Sequence, residues 1–413
     1  MYLSIATIAI GLIGRAAIDK FIALSGGPHL LADWAQLQSV MELVNGVAVA
    51  GIAPGLSVLV AQAAASENRQ QLLLSAIAIG LALGLPFLIA MIYFEGFIGS
   101  DRELPWLKGW LLPTEWAVAA AAGWLSIGMG MLNAFLIGVR RQYSIFWLAA
   151  LMALFGTAVA AFAAPHNVIH AVLIFQAAMG TLVIVWFAWR LLRSRVSIHF
   201  ARLRELSIFV WPSLAIGICS PLSFIIIRNC IGEALSTRDV GLIHGLWRAS
   251  DWVTVLAGGV LSLYWLPRMA KAANHAELRG MLRRAFLEVV VPSTVALAIL
   301  ALLTSTALKV LFTAQFELPF HVSMLILAGD AVRVLAWLFL FALYACKATR
   351  LITIGEVLSL PLFAASLVWL GDAMTPAMIG VMWLLTYTIY AGFNAYAVVR
   401  VMRAPGTPHP NAM

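Results

Sequence analysis

The sequence predicts an all-α, polytopic membrane fold of twelve transmembrane helices, on three observations: composition, the length of the apolar runs, and the charge of the loops between them. Of 413 residues, 63% are hydrophobic and 11% charged, and the mean hydropathy is +0.96. A soluble domain carries about 25% charged and 45–50% apolar residues. Such a surplus cannot be buried in a fold surrounded by water, so lipid is the solvent for most side chains. A hydrocarbon core about 30 Å thick takes roughly 20 helical residues per crossing. The runs are continuous and do not alternate with a period of two, which favours helices over a barrel.

In order, the runs fall at about 2–24, 35–63, 72–94, 114–137, 144–164 and 168–189, then 206–230, 240–266, 286–311, 320–346, 351–371 and 376–399. Six precede a basic stretch and six follow it. The division predicts an N-terminal lobe at 1–198, a C-terminal lobe at 199–403, and a disordered cytoplasmic tail at 404–413. The first run lacks a basic leader and a small-residue cleavage site and carries Arg15, Asp19 and Lys20. It reads as a first transmembrane helix rather than a signal peptide.

Orientation follows from the loops. One side carries Arg69, Arg140, Arg141, the basic stretches 190–204 and 268–284, Lys347, Arg350, Arg400 and Arg403. The other carries Arg102, Lys108 and Arg238. Cytoplasmic loops hold the Lys/Arg excess, so both termini are expected inside an inner membrane. The excess of 26 Lys+Arg over 18 Asp+Glu reports these loops rather than nucleic-acid binding. An even number of helices per half gives a parallel repeat, with a central cavity between two six-helix lobes.

The remaining basic residues lie in or at the ends of helices. An ionisable group at membrane depth costs from a few to more than ten kcal/mol and by default faces an interior or a watery cavity. Arg15 and Asp19 are four apart in the first helix, with Lys20 adjacent; Arg248 and Asp251 are three apart in the eighth, as are Asp330 and Arg333 in the tenth. Arg228 closes the seventh, Glu42 lies in the second and Glu356 in the eleventh. Each pair alone reads equally well as a local salt bridge. As a set, Arg15, Lys20, Arg228, Arg248 and Arg333 read as the cations of a cavity, with Asp19, Asp251, Asp330, Glu42 and Glu356 as charge partners. Arginine suits a pyrophosphate because its planar fork donates in bidentate fashion and stays charged when buried. Arg228, Arg248 and Arg333 are expected near the outer ends of their helices.

Pro54, Gly55, Pro212, Pro221 and Pro267 break helices and are candidate hinges, although static bending is the commoner role of such breaks. Trp106, Trp110 and Trp116 read as membrane-interface anchors. Cys219, Cys230 and Cys346 have neither metal-ligand nor disulfide spacing, and the loop histidines His29, His166 and His321 show no ligand pattern. No metal or cofactor is expected. The chain has no Gly-x-x-x-x-Gly-Lys-Ser/Thr loop to bind ATP, and no outer loop exceeds about 20 residues. An enzyme is therefore not expected.

Four stretches carry a resemblance. The first is Gly27-Pro28, then Trp34-Ala-Gln36-Leu-Gln38, Gly51-Ile-Ala-Pro54-Gly55 and Val60-Ala61-Gln62. The second is Pro221-Leu222 with Ile226-Ile227-Arg228-Asn229; the third is Tyr264-Trp-Leu-Pro267-Arg268; the fourth is Gly329-Asp330-Ala-Val-Arg333-Val-Leu-Ala-Trp337. In this order and spacing they resemble the Wzx-type polysaccharide flippases of the multidrug/oligosaccharidyl-lipid/polysaccharide exporter superfamily. The likeness is nearest to the subgroup that flips the lipid III intermediate of enterobacterial common antigen. It implies an oligosaccharide on undecaprenyl pyrophosphate, moved from the cytoplasmic to the periplasmic leaflet for O-antigen, lipopolysaccharide, enterobacterial common antigen or exopolysaccharide synthesis. The implied partners are that glycan, membrane lipid, and polysaccharide polymerase and chain-length proteins. Three rivals are weighed against it. A drug/cation antiporter of the same superfamily would want isolated acidic residues, and a membrane polymerase or ligase would want a large outer loop. A peptidoglycan-precursor flippase would want two more helices.

Overall fold

The computed structural model describes residues 2–62, 66–98, 113–164, 167–194, 210–270, 272, 274–346 and 348–403, and every regular element among them is a helix. In chain order they are α1 (Tyr2–Gln62), α2 (Ser66–Ile98), α3 (Pro113–Gly138), α4 (Gln142–Ala163), α5 (Val168–Ser194) and α6 (Val210–Ala234). Then come α7 (Thr237–Val260), α8 (His275–Ala285), α9 (Thr304–Leu311), α10 (Phe320–Ala345), α11 (Thr349–Val357), α12 (Leu360–Leu370) and α13 (Pro376–Arg403). Nine stretches among the described residues are long and apolar enough to cross a membrane. The chain is a multi-pass membrane protein. Trp106, Trp110, the tail 404–413 and the side chains of Pro54 and Pro212 lie outside the described residues.

Local sequence explains the breaks. α1 turns at Gly26 and Gly27, and Gly27 has φ +63°, a conformation open to glycine because it has no Cβ. α7 continues through a π turn, Leu261–Trp265, into Leu266–Met269, and α8 through a second one, Phe286–Val290, into Val291–Leu302. Pro267 and Pro292 sit just after these two turns. A proline ring clashes with the carbonyl four residues back and has no N–H to give it, so the wider turn relieves both problems. Pro221 lies inside α6, and Gly55 is buried within α1.

The packing is that of helices in lipid. On α4 only Gly156 and Ala160 are buried, while Trp147, Leu154 and Phe162 are exposed. Small residues let helix backbones approach, and large apolar ones face the bilayer. Trp116 is a correction to the expected interface anchors: it is buried in the core with Trp34 and Leu173. α1 is the hub. It packs against α2, α3 and α4 and also against α6 and α7. The closest approach is at Gly241 of α7, where a Cβ would stand 1.8 Å from the Pro28 carbonyl oxygen.

Candidate functional site

Where α1, α6, α7, α10, α11, α12 and α13 converge they enclose a cavity of about 360 Å³. Its charged wall consists of Arg15, Arg228, Arg248 and Arg333 with Glu42, Asp251 and Glu356, so four of the five predicted cations meet here. Lys20 does not line it. Its ammonium donates to the Val310 carbonyl at 2.9 Å and to the Phe312 carbonyl. There it satisfies the free carbonyls at the end of α9, where a cation also opposes the helix dipole.

Two of the pairs read from spacing form, at 3.7 Å for Arg248–Asp251 and 3.3 Å for Asp330–Arg333. The third does not: Asp19 pairs instead with Arg248 of α7 at 3.3 Å, and accepts from Trp34 Nε1 at 2.9 Å. Asp251 reaches on to Arg333 at 3.9 Å. The result is one chain of alternating charge from α1 through α7 to α10. Asp19 and Asp330 are 1% and 0% exposed and are not part of the wall, so they hold the arginines from behind. Glu356 accepts from Tyr390 Oη at 3.3 Å, and Glu42 is exposed to the cavity.

Arg228 differs from the others. Its Nη1 donates to the Ala35 carbonyl at 2.8 Å and to Ser39 Oγ at 2.5 Å, and its guanidinium lies 5.1 Å from the centre of the Phe224 ring. Its Nε is buried without a hydrogen-bond partner, and among the described residues no carboxylate pairs with it. A buried guanidinium with neutral partners alone keeps much of its desolvation cost. Arg333 also has an unpaired Nε, although it donates to Thr254 Oγ1 at 2.9 Å and stands 5.2–5.7 Å from the Trp337, Trp383 and Tyr387 ring centres. Arg333 lies near the middle of α10 rather than near its outer end, which corrects the expected depth of the charge.

Other wall residues were not marked by charge or spacing. Gln38 accepts from Arg248, and His244 is 4% exposed with neither ring nitrogen paired. Trp247, Tyr387 and Tyr390 add an aromatic side. A legible signal did exist in the motifs. Trp34, Gln36 and Gln38 of the first stretch bond to Asp19, Asn229 and Arg248, so the first and second quoted stretches meet at this interface. Among the described residues no cluster could hold a metal ion.

No family model matches the chain. It is similar to the lipid III flippase of Escherichia coli (strain K12) and to that of Shigella flexneri, each 23% identical over 396 residues, 90% of this chain and 91% of theirs. Among solved structures, an inward-facing multidrug resistance MATE family transporter of the MOP superfamily superposes with a TM-score of 0.68, at 11% identity, over 98% of this chain and 100% of that one. A MATE transporter of Vibrio cholerae gives 0.66 at 14% identity, over 97% and 95%. The chain has the fold of the MOP-superfamily transporters. Its relatives in sequence are flippases, and its relatives in structure are transporters, which bears out the resemblance drawn from the four motifs.

Proposed function

We propose that the chain is a flippase, not an enzyme, that carries an undecaprenyl-pyrophosphate-linked oligosaccharide from the cytoplasmic to the periplasmic leaflet by alternating access. Twelve helices in two six-helix lobes, both termini cytoplasmic, would hold the cavity in the bacterial inner membrane. The observation that carries the reading is Arg228, a buried guanidinium that faces the cavity and, among the described residues, has no carboxylate in an ion pair with it. A pyrophosphate would supply the missing charge through a charge-assisted hydrogen bond. The sugars would occupy the aromatic and polar side of the cavity, and the polyprenyl tail would stay in lipid through the gap between the lobes.

Charge competition supplies the mechanism. Asp19 and Arg248 tie α1 to α7, so the ion pair joins the two halves that must part. A doubly charged head group entering beside Arg228 and Arg248 competes with Asp19 and Asp251 for the same guanidinium. Weakening that tie lowers the cost of separating the lobes, and a ligand shifts such an equilibrium by its differential affinity for the two states. A drug/cation antiporter is favoured by the shared fold alone, and Arg228 would repel its substrate. The test is surface glycan in cells whose only flippase carries Arg15→Ala or Arg248→Ala. Loss of surface glycan with normal membrane levels of the protein is the expected result; normal glycan in both variants overturns the cavity model.

A further inference from the structure

A second cavity, of about 440 Å³, lies away from the charge chain, where the start of α2, the end of α3 and the end of α5 converge. Three different segments each bring one arginine to it: Arg69, Arg141 and Arg190. Successive crossings alternate in direction, so these three ends lie on the same face of the membrane whichever way the chain is oriented. Its floor is apolar, built on Leu73 and Phe187 of a buried core and on Leu132 and Phe135. Trp186, 46% exposed, stands at the side with the Arg190 guanidinium 5.4 Å from its ring centre.

We propose that this cavity binds one anionic glycerophospholipid of the surrounding bilayer, its headgroup phosphate among the three arginines and an acyl chain along the apolar floor. Charge complementarity selects this occupant. A free phosphate makes no use of an apolar floor, and an apolar peptide segment gains nothing from three guanidiniums. A phosphodiester joined to hydrocarbon uses both at the depth where a bilayer presents that junction. Basic pockets between transmembrane helices take anionic headgroups in this way. The amphipathic Trp186 indole suits the same depth. The lipid would bridge three helix ends. The inference needs only the membrane fold and is independent of what the central cavity carries.

The test uses the full chain in nanodiscs of phosphatidylglycerol and phosphatidylcholine with identical acyl chains, followed by detergent washing and native mass spectrometry. One phosphatidylglycerol per chain is expected to remain. At roughly fivefold per arginine, retention should fall roughly 100-fold in R69Q/R141Q/R190Q. The charge-preserving R69K/R141K/R190K should stay within about tenfold of the native chain, which separates lost charge from lost fold. Arg248→Gln in the central cavity should leave retention unchanged. Any one of four results overturns the assignment: equal retention of phosphatidylcholine; undiminished retention in the glutamine variant; a lysine variant as depleted as the glutamine one; or loss on Arg248→Gln, which would put the lipid in the central cavity. Displacement of the lipid by millimolar inorganic phosphate alone would overturn it too, since it would leave the floor without a role.

Discussion

Arg228 and Asp330 are both buried, and their neighbours set them apart. Arg228 has a carbonyl, a hydroxyl and a ring around it, while Asp330 has Arg333 at 3.3 Å and Trp383 Nε1 at 3.2 Å. Removing Asp330 takes the nearest carboxylate from the buried Arg333; removing Arg228 breaks no ion pair among the described residues. Asp330→Asn should therefore destabilise by about 3–5 kcal/mol, and Asp330→Asn with Arg333→Met should recover most of that, as thermal unfolding in detergent will read. Arg228→Gln should fold as well as the native chain yet lose about 10–100-fold in glycan flipping, the worth of one charge-assisted hydrogen bond to the head group. A reconstituted flipping assay on proteoliposomes checks it. A variant that is unfolded, or one that flips at the native rate, would remove Arg228 from its proposed role. The sequence marks both residues as ionisable in a helix, and no more. The distinction depends on Ala35 and Ser39, nearly two hundred positions before Arg228.

At the scale of elements, the pairing of α1 with α7 carries the greatest constraint. Gly241 presses against the Pro28 carbonyl, and His29 Nδ1 lies 2.8 Å from Thr237 Oγ1 at the same end. Even the methyl of Gly241→Ala must move backbone, because a carbonyl cannot rotate aside as a flexible side chain can. The expected cost is about 1–3 kcal/mol, the range for overpacking a filled contact, seen as a lower melting temperature. A variant of native stability would show that the two helices slide freely there. Helix content and the proline and glycine breaks are readable along the chain, since a ring without an N–H and a residue without a Cβ act locally. That Pro267 is relieved by a π turn rather than by a sharp kink is decided by packing, in which Leu261 and Trp265 lie in the core with Leu338 and Leu343.

For the whole molecule, the proposed alternating access requires that contacts between the halves break in turn. Lys20 to Val310, Gln36 to Asn229, Asp19 to Arg248 and His29 to Thr237 all join α1 to later helices. If these contacts open during transport, a bismaleimide linking His29→Cys to Thr237→Cys, in a chain freed of Cys219, Cys230 and Cys346, should stop flipping. A cleavable version of the linker should restore it on reduction. Undiminished flipping by the linked protein would mean that the two halves do not separate at this end.

The sequence by itself determined the solvent and the class of fold. Hydrocarbon cannot satisfy backbone groups, so long apolar runs must be helices whatever their partners, and the order of short motifs sufficed to suggest the superfamily. It also marked the four arginines, because a charge at membrane depth stands out in any single helix. Only the tertiary structure decided their company. Asp19 lies four residues from Arg15 and pairs with Arg248, Lys20 leaves the set to close α9, and Arg228 forms no ion pair among the described residues. Spacing along one helix fixes which side chains share a face; which helix meets that face is a property of the packing, and there the choice of salt bridge or binding site is made.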